Sequence, residues 1–184
     1  MFEKIILINE KISLFDFVFK YTLRDLFLGI LRGVPSSIGV GLRMICLPPF
    51  FKKAGRGLTV REGAIFKFPE RISIGNHVGI SEYCVLDGDG GIEIGDYVRI
   101  APHTSIVSFT HNYLDKNILI KKQGKERKKI IIGSDVWIGN GTTILSGTKI
   151  GDGVVIGANS VINRDVLPYT VVAGSPAKYI KKRK

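Results

Sequence analysis

Cysteine is scarce in this sequence: Cys46 and Cys84 are the only two, far apart and outside any CxxC pattern. That excludes a disulfide framework and a cysteine-based zinc site, and it suits a reducing, cytosolic setting. A GxSxG elbow and a Cys/His pair are both missing, so nothing argues for covalent catalysis through serine or cysteine. Long apolar runs are missing too. The most apolar stretch, residues 12–34 (ISLFDFVFKYTLRDLFLGILRGV), is broken by Asp16, Lys20, Arg24 and Asp25, so neither a signal peptide nor a spanning helix is expected. Its spaced charges suit one or two amphipathic helices. These serve either as a cap packed on the main domain or a neighbouring subunit, or as a peripheral contact with a membrane.

Acidic residues are few, 16 against 27 Lys plus Arg, and the formal charge is +11. Anionic partners follow as a class: phosphorylated cofactors, membranes, nucleic acid or acidic glycans. Two basic clusters, KKQGKERKK (121–129) and KKRK (181–184), lack interleaved aromatics and any recognised module, so no nucleic-acid partner is expected. They read as solvated charge, or as contacts to anionic headgroups or a phosphorylated cofactor.

What the chain has in abundance is a six-residue rhythm. Ile132, Ile138, Ile144, Ile150, Ile156 and Ile162 stand in strict register, and the same step appears as Ile94, Ile100, Ile106 and as Ile74, Ile80, Leu86. Glycine follows six of these twelve positions: Gly75, Gly95, Gly133, Gly139, Gly151 and Gly157. A period of six fits neither a helix nor a lone strand; it suits a coiling chain whose steps are short strands joined by corners. The aliphatic residue fills the interior, and Gly, Asn or Asp beside it tolerates the positive φ of a turn.

Three steps make an eighteen-residue coil. From Ile132 to Ile150 is 18, from Ile74 to Ile94 is 20, and from Ile94 to Ile132 is 38, which leaves twenty residues beyond one coil. The chain is therefore all-β, a parallel β-helix with one loop extruded within 107–131. Val60 and Phe66 are candidates for an earlier, less regular coil. The expected organisation is a helical and loop extension at 1–55, the β-helix at 56–166, and a cap with a basic tail at 167–184.

The segments IGDYVRIAPHTSIVSFTH and VWIGNGTTILSGTKIGDGVVIGANSVINRDVLPYTVVAGSPAKYIKK resemble the hexapeptide-repeat acyltransferases, over roughly Ile72 to Lys182. Within that superfamily they are most similar to the galactoside and maltose O-acetyltransferases and their relatives in polysaccharide biosynthesis. The resemblance implies a left-handed coil, a homotrimer, acetyl-CoA in clefts between subunits, and transfer of acetyl to a saccharide hydroxyl. It also places a catalytic histidine at the extruded loop.

The residues from Ile94 to His111 match that family's spacing without a gap, which makes His111 the expected general base. An imidazole with an ordinary pKa of about 6.5 suits the task near neutrality. By the same resemblance Ser81 and Asp89 fall on acceptor-binding positions, with Asp87 admitted by a one-residue shift. Serine stands at position 81 where relatives carry asparagine. Tyr113 and Asp115 are candidates to contact the acceptor or orient His111, and Glu82 is a weaker one. On the cofactor side the resemblance implicates Trp137, Gly139, Asn140 and Ala158, then Asn163 and Arg164 at the adenine end. Lys178 and Lys181 stand in place of phosphate-binding arginines, keeping the charge without the bidentate fork.

His77 and His103 raise the rival of a three-histidine metal site. They fall on different faces of an eighteen-residue coil and lack the ligand spacing of the metal-using branch, so no metal is expected. Two alternatives to O-acetyl transfer stay open: an N-acetyltransferase of an amino sugar, and a non-catalytic scaffold. The acceptor is expected to be a saccharide, lipid-linked or nucleotide-linked. The place of work is expected to be the cytoplasm, at or near the inner membrane face.

Overall fold

The computed structural model describes residues 23–184; the stretch of the expected helical leader that falls on 12–22 lies outside the described residues. Two helices open the described chain, α1 (Leu23–Gly33) and α2 (Ser36–Cys46), separated by Pro35, which suits a helix start. Leu31 is buried, and the guanidinium of Arg43, only 2% exposed, reaches from α2 to three backbone carbonyls: Val60 O at 2.9 Å, and Leu31 O and Val34 O at 2.8 Å each. The helices are thereby fixed to the first coil. Among the described residues no helix is long and apolar enough to cross a membrane.

The remainder is a three-faced parallel β-helix, and the left-handed coil implied by the resemblance is the fold class found. Face one stacks Lys53–Ala54, Ile72–Ile74, Ile92–Ile94, Ile130–Ile132 and Lys149–Ile150. Face two stacks Thr59–Val60, Gly79–Ile80, Arg99–Ile100, Trp137–Ile138, Val155–Ile156 and Thr170–Ala173, and an antiparallel last strand, Lys178–Lys182, closes it. Face three stacks Ile65–Lys67, Val85–Asp87, Ser105–Val107, Thr143–Ile144 and Val161–Ile162. The first corner joins faces one and two, the second joins two and three, and the third returns from three to one.

The pairing register follows the six-residue rhythm. Ile74 lies against Ile94, Ile94 against Ile132, and Ile132 against Ile150, so the offsets of 20, 38 and 18 are each one turn of the coil. Val60 pairs with Ile80 and Phe66 with Leu86, which makes them the first coil. The interior column of Ile72, Ile74, Ile80, Leu86, Ile92, Ile100, Ile106, Ile130, Ile132, Ile138, Ile144 and Ile150 is almost wholly removed from water. Each such side chain contributes about 1.5–3 kcal/mol of burial.

The glycines that follow the isoleucines work differently from the expectation. Gly75, Gly95, Gly133, Gly139, Gly151 and Gly157 do not adopt positive φ; the left-handed residues lie two positions further on, at His77 (φ 56°), Tyr97 (φ 59°), Asp135 (φ 56°), Gly141, Gly153 and Asn159. These six glycines are small because the coils stack too closely for a side chain. A Cβ on Gly75 would lie 2.6 Å from the backbone of Gly95.

Candidate active site

At the third corner the chain leaves the coil after Val107 and forms a hairpin of Phe109–His111 and Lys125–Arg127, with His111 opposite Lys125. The hairpin's root is tied to the bulge of the preceding coil. Buried Ser108 donates its hydroxyl to Asp87 O at 2.7 Å and accepts Gly90 N–H at 2.8 Å, while its own N–H reaches Asp87 O at 3.1 Å.

Asp89 is 3% exposed and surrounded by cations. It accepts Arg127 Nε–H at 2.8 Å and Arg71 Nη1–H at 3.2 Å, and Lys125 Nζ stands 3.4 Å from its other oxygen. Burial pushes its carboxyl up, but the hydrogen bonds and charges of Arg127 and Lys125 outweigh that and hold it below the usual carboxylate range. Asp87 is buried as well, with Lys67 Nζ at 3.5 Å and Asp89 N–H donating to it at 3.2 Å. In the single chain, both aspartates therefore face protein cations rather than open space.

His111 is exposed, its ring meeting Phe109 edge-on at 5.8 Å, and among the described residues nothing hydrogen-bonds the imidazole. Lys125 Nζ lies 4.3 Å over the Phe109 ring. Tyr113 stands exposed beyond the hairpin. Asp115 does not orient His111: its carboxylate accepts Asn117 N–H at 2.8 Å and its backbone is bracketed by Gln123.

Ser81 and Trp137 come together elsewhere, in a groove of about 280 Å³ along face two and the second corner, with Arg61 and Arg99. Trp137 is 57% exposed, set between Arg99 and Val155 in register. Further along that corner Gly139 is buried, and Asn140 and Ala158 are exposed on successive coils, with Asn159 N–H reaching Asn140 O at 2.7 Å. Asn163 and Arg164 lie at the third corner and, with Lys178, line a cavity of about 300 Å³ at the C-terminal mouth of the coil. Lys181 is exposed opposite Val171. Glu82 sits at the second corner, 3.9 Å from Arg61.

His77 stacks on Tyr97 at the first corner, with ring centres 5.1 Å apart, and His103 on Tyr83 at the second, 5.4 Å apart. No cluster of three His, Cys, Asp or Glu suited to a metal occurs among the described residues. Cys84 is sealed inside the coil, its thiol 3.2 Å from Ala101 O and pushed up by burial. Arg61, Arg71 and Arg99 were not candidates from sequence. Their signal is the register itself, since Arg99 shares a column with Gly79 and Trp137.

Residues 129–164 match the bacterial transferase hexapeptide model, a set of six repeats. An Escherichia coli dTDP-4-amino-4,6-dideoxy-D-glucose acyltransferase is 31% identical over 72% of this chain and 83% of its own length. The chain belongs to the hexapeptide-repeat acyltransferases. A second family member, WbbJ of Escherichia coli K12, by name a candidate lipopolysaccharide biosynthesis O-acetyl transferase, is 35% identical over 82% of this chain and 70% of that protein. Among solved structures, a hexapeptide-repeat acetyltransferase of Vibrio cholerae O1 biovar eltor, complexed with acetyl coenzyme A, superposes with a TM-score of 0.76 at 32% identity, over 94% of this chain and 91% of that one.

Proposed function

We propose that this hexapeptide acyltransferase is an acetyl-CoA-dependent O-acetyltransferase of a saccharide, working as a homotrimer in surface-polysaccharide biosynthesis with His111 as general base. One observation carries the reading. The candidate residues divide between separate regions of the prism: Ser81, Trp137, Gly139, Asn140 and Ala158 lie on face two and its second corner, His111 lies on the hairpin that leaves the third corner, and Asn163, Arg164 and Lys178 meet at the C-terminal mouth. A single chain keeps the groove of face two and the hairpin apart. Packing three prisms around an axis lets the third corner of one copy complete the groove of the next.

In such a site the saccharide hydroxyl gives its proton to His111 as its oxygen attacks the thioester carbonyl of bound acetyl-CoA. The resulting oxyanion collapses, breaking the C–S bond, and the CoA thiolate takes the proton back from His111. An imidazole exposed on a hairpin and unengaged by neighbouring polar groups is free to make both transfers. The Vibrio cholerae neighbour supports acetyl-CoA as donor, and the WbbJ likeness supports a polysaccharide setting.

Transfer to an amine is the second reading, favoured by the likeness to the dTDP-4-amino-sugar acyltransferase. Cytoplasmic work at the inner membrane face fits the exposed apolar row Leu26, Ile30, Ile38 and Ile45 on α1 and α2, beside a basic chain. Flotation with anionic vesicles tests that contact, and absence of co-flotation removes it. The deciding experiment for the activity is CoA release over a panel of sugars, amino sugars and nucleotide sugars, with His111→Ala alongside. The expected result is release with hydroxyl acceptors and a loss of at least about a hundredfold in the variant. Near wild-type turnover in the variant overturns the base assignment.

A further inference from the structure

The groove that holds Ser81 and Trp137 contains two guanidinium groups with little to do for the fold. Arg99 stands on face two in register with Gly79 below and Trp137 above. Its side chain lies across Gly79: a Cβ placed there would meet Arg99 Nη1 at 2.6 Å and Cδ at 3.3 Å, with Thr59 Oγ1 only 3.4 Å away. The missing side chain at position 79 is therefore what lets the guanidinium lie flat and point toward the N-terminal end of the groove. No carboxylate pairs with Arg99 among the described residues. Arg61, one coil before Ser81 on the same corner, makes only a long 3.9 Å contact with Glu82 and is 62% exposed along its side chain.

Charge and position together specify a ligand. A phosphate matches the planar donor forks of two guanidiniums in charge and shape, which a neutral saccharide does not. Successive coils are about 4.8 Å apart. An anion held over Gly79 and Thr59 between Arg61 and Arg99 thus lies about 10 Å from Trp137, two coils away. A sugar ring carried on that phosphate extends along the groove toward Trp137, with Ser81 beside it. Resting on the acetyl-transfer reading above, we infer that the acceptor is a sugar carrying phosphate at its anomeric carbon, and that Arg61 and Arg99 form the subsite for that phosphate. The linkage chemistry is common to nucleoside diphosphate sugars and polyprenyl diphosphate sugars.

The test uses the full chain with inorganic pyrophosphate as probe, followed by calorimetry. Wild-type protein binds it, and Arg99→Gln and Arg61→Gln each weaken binding about tenfold or more, one charge-assisted contact apiece. Unchanged melting curves show that both variants fold. Binding that is lost instead in Lys178→Gln or Lys181→Gln, with the arginine variants unaffected, places the anion at the other end and overturns the inference, as does no binding at all. UDP and farnesyl diphosphate then compete for the probe. Displacement by the first alone identifies a nucleotide-linked acceptor, and displacement by the second alone identifies a lipid-linked one. Displacement by both fits the shared diphosphate, and displacement by neither overturns the subsite. Failure of the activity reading looks different: no sugar elicits CoA release, while pyrophosphate still binds at Arg61 and Arg99.

Discussion

Arg127 Nε–H meets the Asp89 carboxylate at 2.8 Å, joining the outgoing hairpin to the bulge of the coil beneath it. Lys125, the residue directly opposite His111, reaches the second oxygen of the same carboxylate. Asp89 therefore fixes the strand that backs the imidazole, from a buried position where its removal strands three cations.

Asp89→Asn is expected to lower stability by about 2 kcal/mol, since the buried acceptor loses its charge while Arg71, Arg127 and Lys125 remain crowded. The turnover number for acetyl transfer should fall while the KM for acetyl-CoA stays unchanged. A raised acceptor KM with unaltered stability would instead make Asp89 an acceptor ligand. The folded carboxyl is depressed, so its stabilising contribution is present above the unfolded value of about 3.9 and is lost as pH falls through the lower folded one. The difference in melting temperature between wild type and variant should accordingly shrink below about pH 4.

Arg43 is the lock between the helices and the coil. Leu31 O and Val34 O belong to the end of α1, where carbonyls lack helical partners, and the guanidinium satisfies both together with Val60 O of the first coil. Arg43→Met preserves bulk but leaves three carbonyls without donors. The expected cost is about 3 kcal/mol, read from urea unfolding, with faster proteolysis ahead of Leu47. An unchanged unfolding midpoint would mean that water takes over those carbonyls.

The coil was legible in the sequence because the interior column takes apolar side chains, so from Ile74 onward nearly every step prints an isoleucine at the same interval. Register followed from arithmetic, including Val60 and Phe66 of the first coil, whose opening strand is Lys53–Ala54. The role of the glycines was not legible: Gly75 and Gly95 look like turn formers in sequence, and only the stacking distance shows that they are contact points between coils. His111 and Trp137 could be named from motif resemblance. The Asp89 cluster could not, since Arg71, Asp89 and Arg127 are separated by 18 and 38 residues and meet only because the hairpin folds back over the bulge.

Cys84 and Cys46 should differ in reactivity. Cys84 is fully buried and its thiol is held above the ordinary range by burial, whereas Cys46 is partly exposed. A thiol reagent added to native protein at pH 8 is expected to label Cys46 at least about tenfold faster. Because the folded Cys84 pKa is raised, its contribution to stability is complete below the unfolded value and fades as pH rises through the folded one. Wild type should lose stability relative to Cys84→Ala on moving to alkaline pH. Equal labelling of the two cysteines would show that the coil opens at Ala101.

Gly139 and Gly41 test the stacking argument from opposite sides. A Cβ on Gly139 would stand 2.6 Å from Ala158 N, 2.7 Å from Ile156 O and 2.8 Å from Gly157 C, all backbone atoms of the next coil that cannot swing aside. Gly139→Ala must push apart neighbouring coils whose register is held by Gly139 N–H to Ile156 O at 2.9 Å, so a loss of about 2–4 kcal/mol is expected. Gly41, inside α2, has nothing within 4 Å of its Cβ position and no positive φ. There, alanine restricts the unfolded chain without meeting anything in the folded one, and a gain of about 0.5–1 kcal/mol is expected. Chemical denaturation of the two variants beside wild type reads both signs at once. If Gly139→Ala proved neutral, the coils would have slack and the six glycines would need another explanation.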